Sequence, residues 1–332
     1  MHAPFLIPLP LPHIGSVNAW LLRGDPLTLI DTGPCDDEAM SALEVGLRAA
    51  GHRVEDIELV LITHHHLDHS GLAATIAARS GGHIAAYGPA AAYGRDYDAR
   101  NEADRRFSLA LMRHHGVSDE VLGDTEVFWN FIRDKSQPYD ADIELADGES
   151  IRAGGRDLRV VARPGHSTTD ALLVDEHERI AFVGDHLLAK ISSNTEVYPA
   201  LEPNGTRPRA RVEYLESLRQ TAAMPLTRLH TGHGDDITAH AELVRRRLAD
   251  HERRCERIVE AMHEGRTNAF EIACGLWPAR TVFDQTLLVV WEVLGHLDLL
   301  LDAGRVEETV TDDGSRYGLA SFALAGTTTH AP

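Results

Sequence analysis

The chain reads as an α/β protein built in layers, with a helical insertion and a helical C-terminal part. Three observations predict this. Short β-branched apolar runs alternate with amphipathic helical stretches over the first two thirds of the chain, the pattern of a layered α/β core. Several of those runs end in turns made of Gly, His and Asp. Beyond Asp235 the strand pattern gives way to long helical periodicities and a short terminal hairpin.

In order, Val17–Leu22 and Leu27–Ile30 are two apolar runs split by Gly24-Asp25-Pro26, a strand–turn–strand pattern. A helix is expected over Asp36–Ala50, a strand over Ile57–Thr63, a helix over Leu67–Arg79 and a strand over His83–Tyr87. Two helices, Tyr93–Gly116 and Ser118–Lys135, form an expected insertion at about 89–140, with Phe107, Leu111, Phe128, Trp129, Phe131 and Ile132 as apolar anchors. Strands resume at Ile143–Leu145, Leu158–Ala162, Ala171–Val174 and Ile180–Val183. A Pro- and Gly-rich loop follows at 199–208, then a helix over Val212–Ala223 and a strand over Leu226–His230. The C-terminal part carries expected helices at His240–Glu264, Ala269–Leu276 and Phe283–Leu301, then a hairpin around Asp312-Asp313-Gly314. Three helices and a two-stranded ribbon describe a winged helix. The expected division is residues 1–238 as one domain and 239–332 as a second.

Charge narrows the partners. Lys plus Arg is 32 and Asp plus Glu is 51, a formal charge of −19 with histidine neutral. Nucleic-acid binding and anionic membranes both need clustered basic residues, and neither partner is expected. No apolar run reaches the roughly 18–20 residues of a membrane helix. The first residues carry four prolines and no positive start, unlike a secretory signal. Three cysteines, at 35, 255 and 274, are too few for a disulfide scaffold. A cytoplasmic, soluble chain is the expectation.

The chemistry concentrates in histidines. Residues 64–69 hold four of the chain's 20 histidines, His64, His65, His66 and His69, with Asp68 among them, just after an apolar strand. Imidazole and carboxylate together suit Zn²⁺, Fe or Mn; a solvated polar turn is the plainer reading of the cluster alone. Pro164-Gly165-His166, Gly184-Asp185-His186 and Gly232-His233-Gly234 repeat the arrangement, each placing a ligand type after a strand. Four such loops would converge on one edge of a sheet sandwich.

T-H-H-H-L-D-H at 63–69, P-G-H at 164–166, G-D at 184–185 and T-G-H-G at 231–234 resemble the metallo-β-lactamase fold superfamily, in its glyoxalase II-like and lactamase-β-2-like hydrolase branch. V-N-A-W-L-L at 17–22 and I-D-T-G at 30–33 match its opening strands. The likeness covers roughly residues 5–240. It implies an αββα sandwich with two divalent ions at one edge, zinc first, with iron or manganese also tolerated by the donors. Carried over, one ion would be held by His64, His66 and His166, the other by Asp68, His69 and His233, and Asp185 would bridge them. The implied reaction is hydrolysis of a small-molecule carbonyl substrate by a metal-bridging hydroxide that the catalytic Asp68 orients, thioester first, then lactone or other ester. The alternative is a phosphodiesterase or ribonuclease, since two-metal sites cleave phosphodiesters too; a metal-binding regulator is the non-enzymatic reading. Secreted antibiotic-hydrolysing relatives commonly use a Cys ligand and lack a bridging carboxylate. No cysteine falls in a ligand motif here, which argues against β-lactamase activity.

Further residues have assigned expectations. His65 is expected to point away from the ions, and Asp31 to hold the ligand loop by hydrogen bonds. His186 could line the site or pack. Tyr198 and Lys190 are candidate donors to an oxyanion. His114-His115 is expected to be a solvated pair. Where many relatives have a second His four residues after the third-motif His, this chain has Asp170. The insertion's aromatics could roof an acyl or aryl pocket, with helix packing the plainer role. Residues 235–332 carry 10 arginines, no lysine and 17 acidic residues, −7 in all, and the helix over 283–301 has no basic residue. The C-terminal part also resembles the winged-helix tail of lactamase-β-2-like hydrolases, which implies packing on the core or on a second subunit of a homodimer rather than on DNA.

Overall fold

The computed structural model describes residues 2–11, 15–200 and 206–320. The stretches 201–205 of the Pro/Gly-rich loop and 321–332 of the expected second domain lie outside the described residues.

Two sheets form the centre. The first has the order β1 (Phe5–Leu11), β2 (Gly15–Leu22), β3 (Thr28–Ile30), β4 (Leu59–Ile62), β5 (His83–Tyr87) and β6 (Ile143–Leu145). Its first three strands pair antiparallel and the rest parallel. The second sheet is made of β7 (Ser150–Ala153), β8 (Arg156–Ala162), β9 (Ala171–Asp175), β10 (Ile180–Phe182) and β11 (Arg228–His230), with β11 at one edge and β7 at the other. Residues of alternate parity segregate, as the period-two pleat requires. Trp20, Leu22, Leu59 and Leu61 face the second sheet's Leu158, Val160, Leu173 and Phe182. Ala19, Leu21, Val60 and Ile62 face the helices α1 (Asp37–Ala49) and, beyond the short α2 (Leu67–Ser70), α3 (Ala73–Ser80). The insertion between β5 and β6 comprises α4 (Gly88–Arg95), α5 (Tyr97–His114) and α6 (Asp119–Asp134). The outer face of the second sheet is covered by α7 (Ala210–Ala222) and the start of α8 (His240–His263). The result is the expected αββα sandwich.

After α8 come α9 (Ala269–Leu276), α10 (Ala279–Asp284), α11 (Thr286–Asp302) and the hairpin β12 (Val306–Thr311) and β13 (Gly314–Leu319). The helices share one apolar core with the insertion: Met112, Val117, Leu122 and Trp129 pack with Ile258, Ile272, Val290 and Leu294. No helix among the described residues is long and apolar enough to cross a membrane.

Five elements differ from expectation. β1 is a strand despite Pro8 and Pro10, because it is an edge strand whose single neighbour is β2, where proline is tolerated. β7 is a further strand in a stretch without strong alternation. The helix expected over Leu67–Arg79 is broken at Gly71, where a Cβ would lie 2.6 Å from Cys35 N and 2.8 Å from Gly33 O. The insertion holds three helices rather than two, and the helix expected over 283–301 is divided at Gln285 into α10 and α11.

Candidate metal centre

All seven residues singled out by motif meet at one edge of the sandwich. The strand β4 ends at Ile62 and the chain turns outward through His64 and His66; α2 then brings Asp68 and His69 back within its first turn. His166 follows β8, Asp185 follows β10 and His233 follows β11. Ligand-capable atoms of His64, His66 and His166 lie within 4.8 Å of one another, as do those of Asp68, His69 and His233 and those of His64, His69 and Asp185. Asp185 spans the groups: Oδ1 is 3.4 Å from His69 Nε2, while Oδ2 is 3.2 Å from His233 Nε2 and 3.9 Å from His166 Nε2. Gly232 makes room for this, since a Cβ there would sit 2.3 Å from Asp185 Oδ1 and 2.6 Å from His69 Cε1.

The outer nitrogen of each histidine decides what the inner one offers. His69 Nδ1 donates to Asp31 Oδ2 at 2.8 Å, His166 Nδ1 to Asn194 O at 2.8 Å and His233 Nδ1 to Ser16 O at 2.7 Å. Thr63 Oγ1 donates to Asp31 Oδ2 at 2.8 Å, so its oxygen accepts from His64 Nδ1 at 3.1 Å. His66 is turned the other way: Nε2 faces Glu196 Oε1 at 3.1 Å and Nδ1 points inward, 3.1 Å from both His64 Nε2 and His166 Nε2. These partners fix a proton on the outer nitrogen of the rings, so that each inner nitrogen can offer a lone pair toward a common centre once any proton of its own is displaced. His69 Nε2 and Asp185 Oδ1 are buried without a hydrogen-bond partner. Converging lone pairs and carboxylates of this kind repel one another unless a cation lies between them, and the donor set fits a divalent ion.

The electrostatics agree. Burial opposes a charge on His233, but Asp185 and Asp68 outweigh it and push its pKa up to about 10. Burial likewise opposes ionisation of Asp68, yet His69 and His233 draw its carboxyl down to about 2. The pocket holds both aspartates charged and favours positive charge beside them.

A family model described as the metallo-beta-lactamase superfamily matches residues 14–247. The chain belongs to that superfamily. Within it, the chain is 33% identical over 316 residues to the "Probable metallo-hydrolase YqjP" of Bacillus subtilis (strain 168), covering 92% of this chain and 93% of that one. A crystal structure of a metallo-beta-lactamase family protein from Thermus thermophilus superposes with a TM-score of 0.79 at 27% identity, over 95% of this chain and 98% of that one. A shorter match, 26% identical over 133 residues, is to an "Atrochrysone carboxyl ACP thioesterase" of Aspergillus fumigatus, covering 40% of this chain and 28% of that one. The chain is thus a superfamily hydrolase whose clustered His and Asp side chains suit divalent metal.

The remaining candidates separate clearly. Asp31, at φ +58°, holds the ligand loop as expected, accepting from Thr63 N at 2.9 Å as well as from Thr63 Oγ1 and His69. His65 does not turn away as expected. Its Nδ1 is 2.9 Å from Thr169 Oγ1 and the ring is tilted over Tyr93, but the ring also packs against His66 and Nε2 lies 4.0 Å from Glu196 Oε2. His65, His66 and Glu196 thus form a further ligand-type group beside the seven. His186 packs, buried, with Nε2 2.9 Å from Thr221 Oγ1. Lys190 pairs with Asp235 at the surface, and Tyr198 donates to Glu213 at 3.2 Å. Asp170 closes the turn that carries His166 by accepting from Ser167 N at 2.8 Å. Trp129 is buried in the core shared with the C-terminal helices, so packing explains it, whereas Phe128 is 37% exposed. The pair His114-His115 is not solvated as expected: His115 is buried against Tyr317, because the terminal hairpin covers it.

Sequence reasoning missed Glu196 and Asn194. Each touches a histidine of the centre, but they sit in a polar S-S-N-T-E stretch with no periodicity and no motif to mark them.

Proposed function

We propose that this protein is a dinuclear metallo-hydrolase acting on a small-molecule carbonyl substrate, a thioester first and a lactone or other ester next. One observation carries the reading: five imidazoles aim their inner nitrogens inward in two groups, and Asp185 reaches both. His64, His66 and His166 would hold one divalent ion, and Asp68, His69 and His233 the other, with Asp185 shared and zinc the first choice. Such ions supply Lewis acidity toward the substrate oxygen and lower the pKa of water to give a nucleophile at neutral pH. The chain's own part is orientation. Asp68, 3.2 Å from His233 Nε2, would orient the attacking water by accepting its proton in a hydrogen bond. Asp31, Thr63, Asn194, Ser16 and Glu196 keep the five rings aimed. The thioesterase named among the matches supports the ranking only distantly, over 40% of this chain.

The test is a panel of acyl-CoA and acyl-glutathione thioesters and lactones with metal-loaded protein. Turnover of one class above background, lost in Asp68→Ala, is expected. Background rates throughout, together with cleavage of single-stranded RNA that Asp68→Ala abolishes, would replace this reading with the phosphodiesterase. His64→Ala with His66→Ala should remove bound metal, and stoichiometric metal retained in that variant refutes the ligand assignment.

We also propose that residues 239–332 form a winged-helix-like module with a structural role, on the core or in a homodimer. The net charge of −7 over residues 235–332 and the absence of basic residues on α11 support this over DNA binding. A gel shift with DNA fragments should give no complex.

A further inference from the structure

Between β10 and α7 the described residues form no helix or strand, yet part of them embraces the candidate metal centre. Ser193 Oγ donates to the carbonyl of Asp185. The Asn194 carbonyl accepts from His166 Nδ1 at 2.8 Å, and Glu196 N donates back to His166 O at 3.0 Å. The Glu196 carboxylate stands 3.1 Å from His66 Nε2. Val197 is buried in the apolar core that the C-terminal helices share with the insertion.

The segment is gripped from behind. Asn194 Nδ2 donates to Leu288 O on α11 at 3.0 Å. Asn194 Oδ1 accepts from Thr195 N at 2.9 Å and from Arg211 Nη2 at 3.2 Å. Arg211 is fully buried on α7 and pairs with Glu292 of α11. Among the described residues its buried Nε and Nη1 have no hydrogen-bond partner. A buried guanidinium left incompletely satisfied is a costly way to join two helices, and an apolar side chain would glue them as well. What the guanidinium adds is a fixed donor aimed at Asn194.

We propose that Ser193–Val197 is a positioning strap for His166 and His66, clamped to α11 through Asn194 and the Arg211–Glu292 pair, so that the C-terminal helices are part of the metal centre. Asn194, Glu196 and Arg211 are then positioning residues. The Asn194 carbonyl cannot be deleted by substitution, but the side chain that keeps it aimed can. This rests on the reading of the seven side chains as metal ligands.

The experiment uses the full chain and cobalt(II), with affinity measured by competition against a chromophoric chelator and geometry by the visible absorption spectrum. Asn194→Ala and Glu196→Ala should each weaken cobalt binding roughly tenfold or more, as loss of a group supporting a ligand does, and should alter the spectrum. Glu196→Gln keeps a carbonyl oxygen facing His66 and should restore affinity. Leu294→Ala, a core truncation on the same helix, should lower Tm and leave affinity unchanged. Wild-type affinity and spectrum in Asn194→Ala, or an equal affinity loss in Leu294→Ala, overturns the strap. Should Asn194→Ala fail to fold, the contrast between Glu196→Ala and Glu196→Gln decides it, and equal affinity in those two overturns it. A wild-type protein that takes up no cobalt overturns the metal reading itself, an outcome distinct from the others.

Discussion

Asp31 Oδ2 lies 2.8 Å from His69 Nδ1 and holds that ring from outside the cluster of ligand types. The same carboxylate binds both donors of Thr63, and Thr63 in turn orients His64, so one side chain governs two imidazoles in different groups. It does so from a left-handed backbone at φ +58°, which Asp and Asn tolerate better than other non-glycine residues. Asp31→Asn should therefore keep the fold. Its amide can satisfy only part of this set of donors, and metal affinity should fall about 10–100-fold. A competition titration of the purified variant measures this, and unchanged affinity would mean the ring orientations are fixed by packing alone.

Gly232 offers a second handle on the same edge. A methyl group there would meet Asp185 Oδ1 at 2.3 Å and His69 Cε1 at 2.6 Å, closer than non-bonded atoms approach. Gly232→Ala should displace the carboxylate that reaches both groups, so bound metal per chain should drop while far-ultraviolet circular dichroism stays native. Metal content by elemental analysis after gel filtration is the measurement.

The histidine motifs were legible because each ligand type sits beside its own strand end, and His166, Asp185 and His233 each follow a Gly directly. His64, His166, Asp185 and His233 could each be placed from local sequence. Asn194, Glu196 and Arg211 were not legible, because their roles exist only once α11 lies against α7. His115 looked solvated for the same reason: Tyr317, which covers it, comes from the far end of the chain. No strand was expected at β1, because sequence does not say which strand lies at an edge that tolerates proline. Gly71 read as an ordinary helix residue because a periodicity contains no information about Cys35 N beside it.

Arg156 and Asp175 form an ion pair at 2.6 Å with 4% and 3% of their side chains exposed, joining β8 to β9 on the second sheet. Removing one partner of a buried pair leaves the other charge uncompensated, which costs about 3–5 kcal/mol. Asp175→Ala should lower stability by about that much in urea unfolding. It should leave metal affinity unchanged in whatever folded protein remains, because neither residue touches the seven site side chains. A loss of metal affinity without a loss of stability would contradict this division.

The C-terminal core sets an acid limit on the fold. Burial, with His114 and Arg207 adding to it, pushes His115 down to about 3, and burial with Arg211 lowers His296 to about 4. Both folded values lie below the ordinary histidine value of 6.5. Between pH 6.5 and the folded value, the unfolded chain binds a proton that the folded chain refuses, so stability rises with pH there. The contribution is fully present above pH 6.5 and is lost as the pH falls. Each such histidine adds a slope of about 1.4 kcal/mol per pH unit. His115→Phe tests this with little disturbance, since the ring still stacks on Tyr317 and the buried Nδ1 has no partner to lose. Urea unfolding from pH 7 to pH 5 should give the variant a pH slope shallower by about one proton than wild type; equal slopes would mean that His115 is protonated in the folded protein.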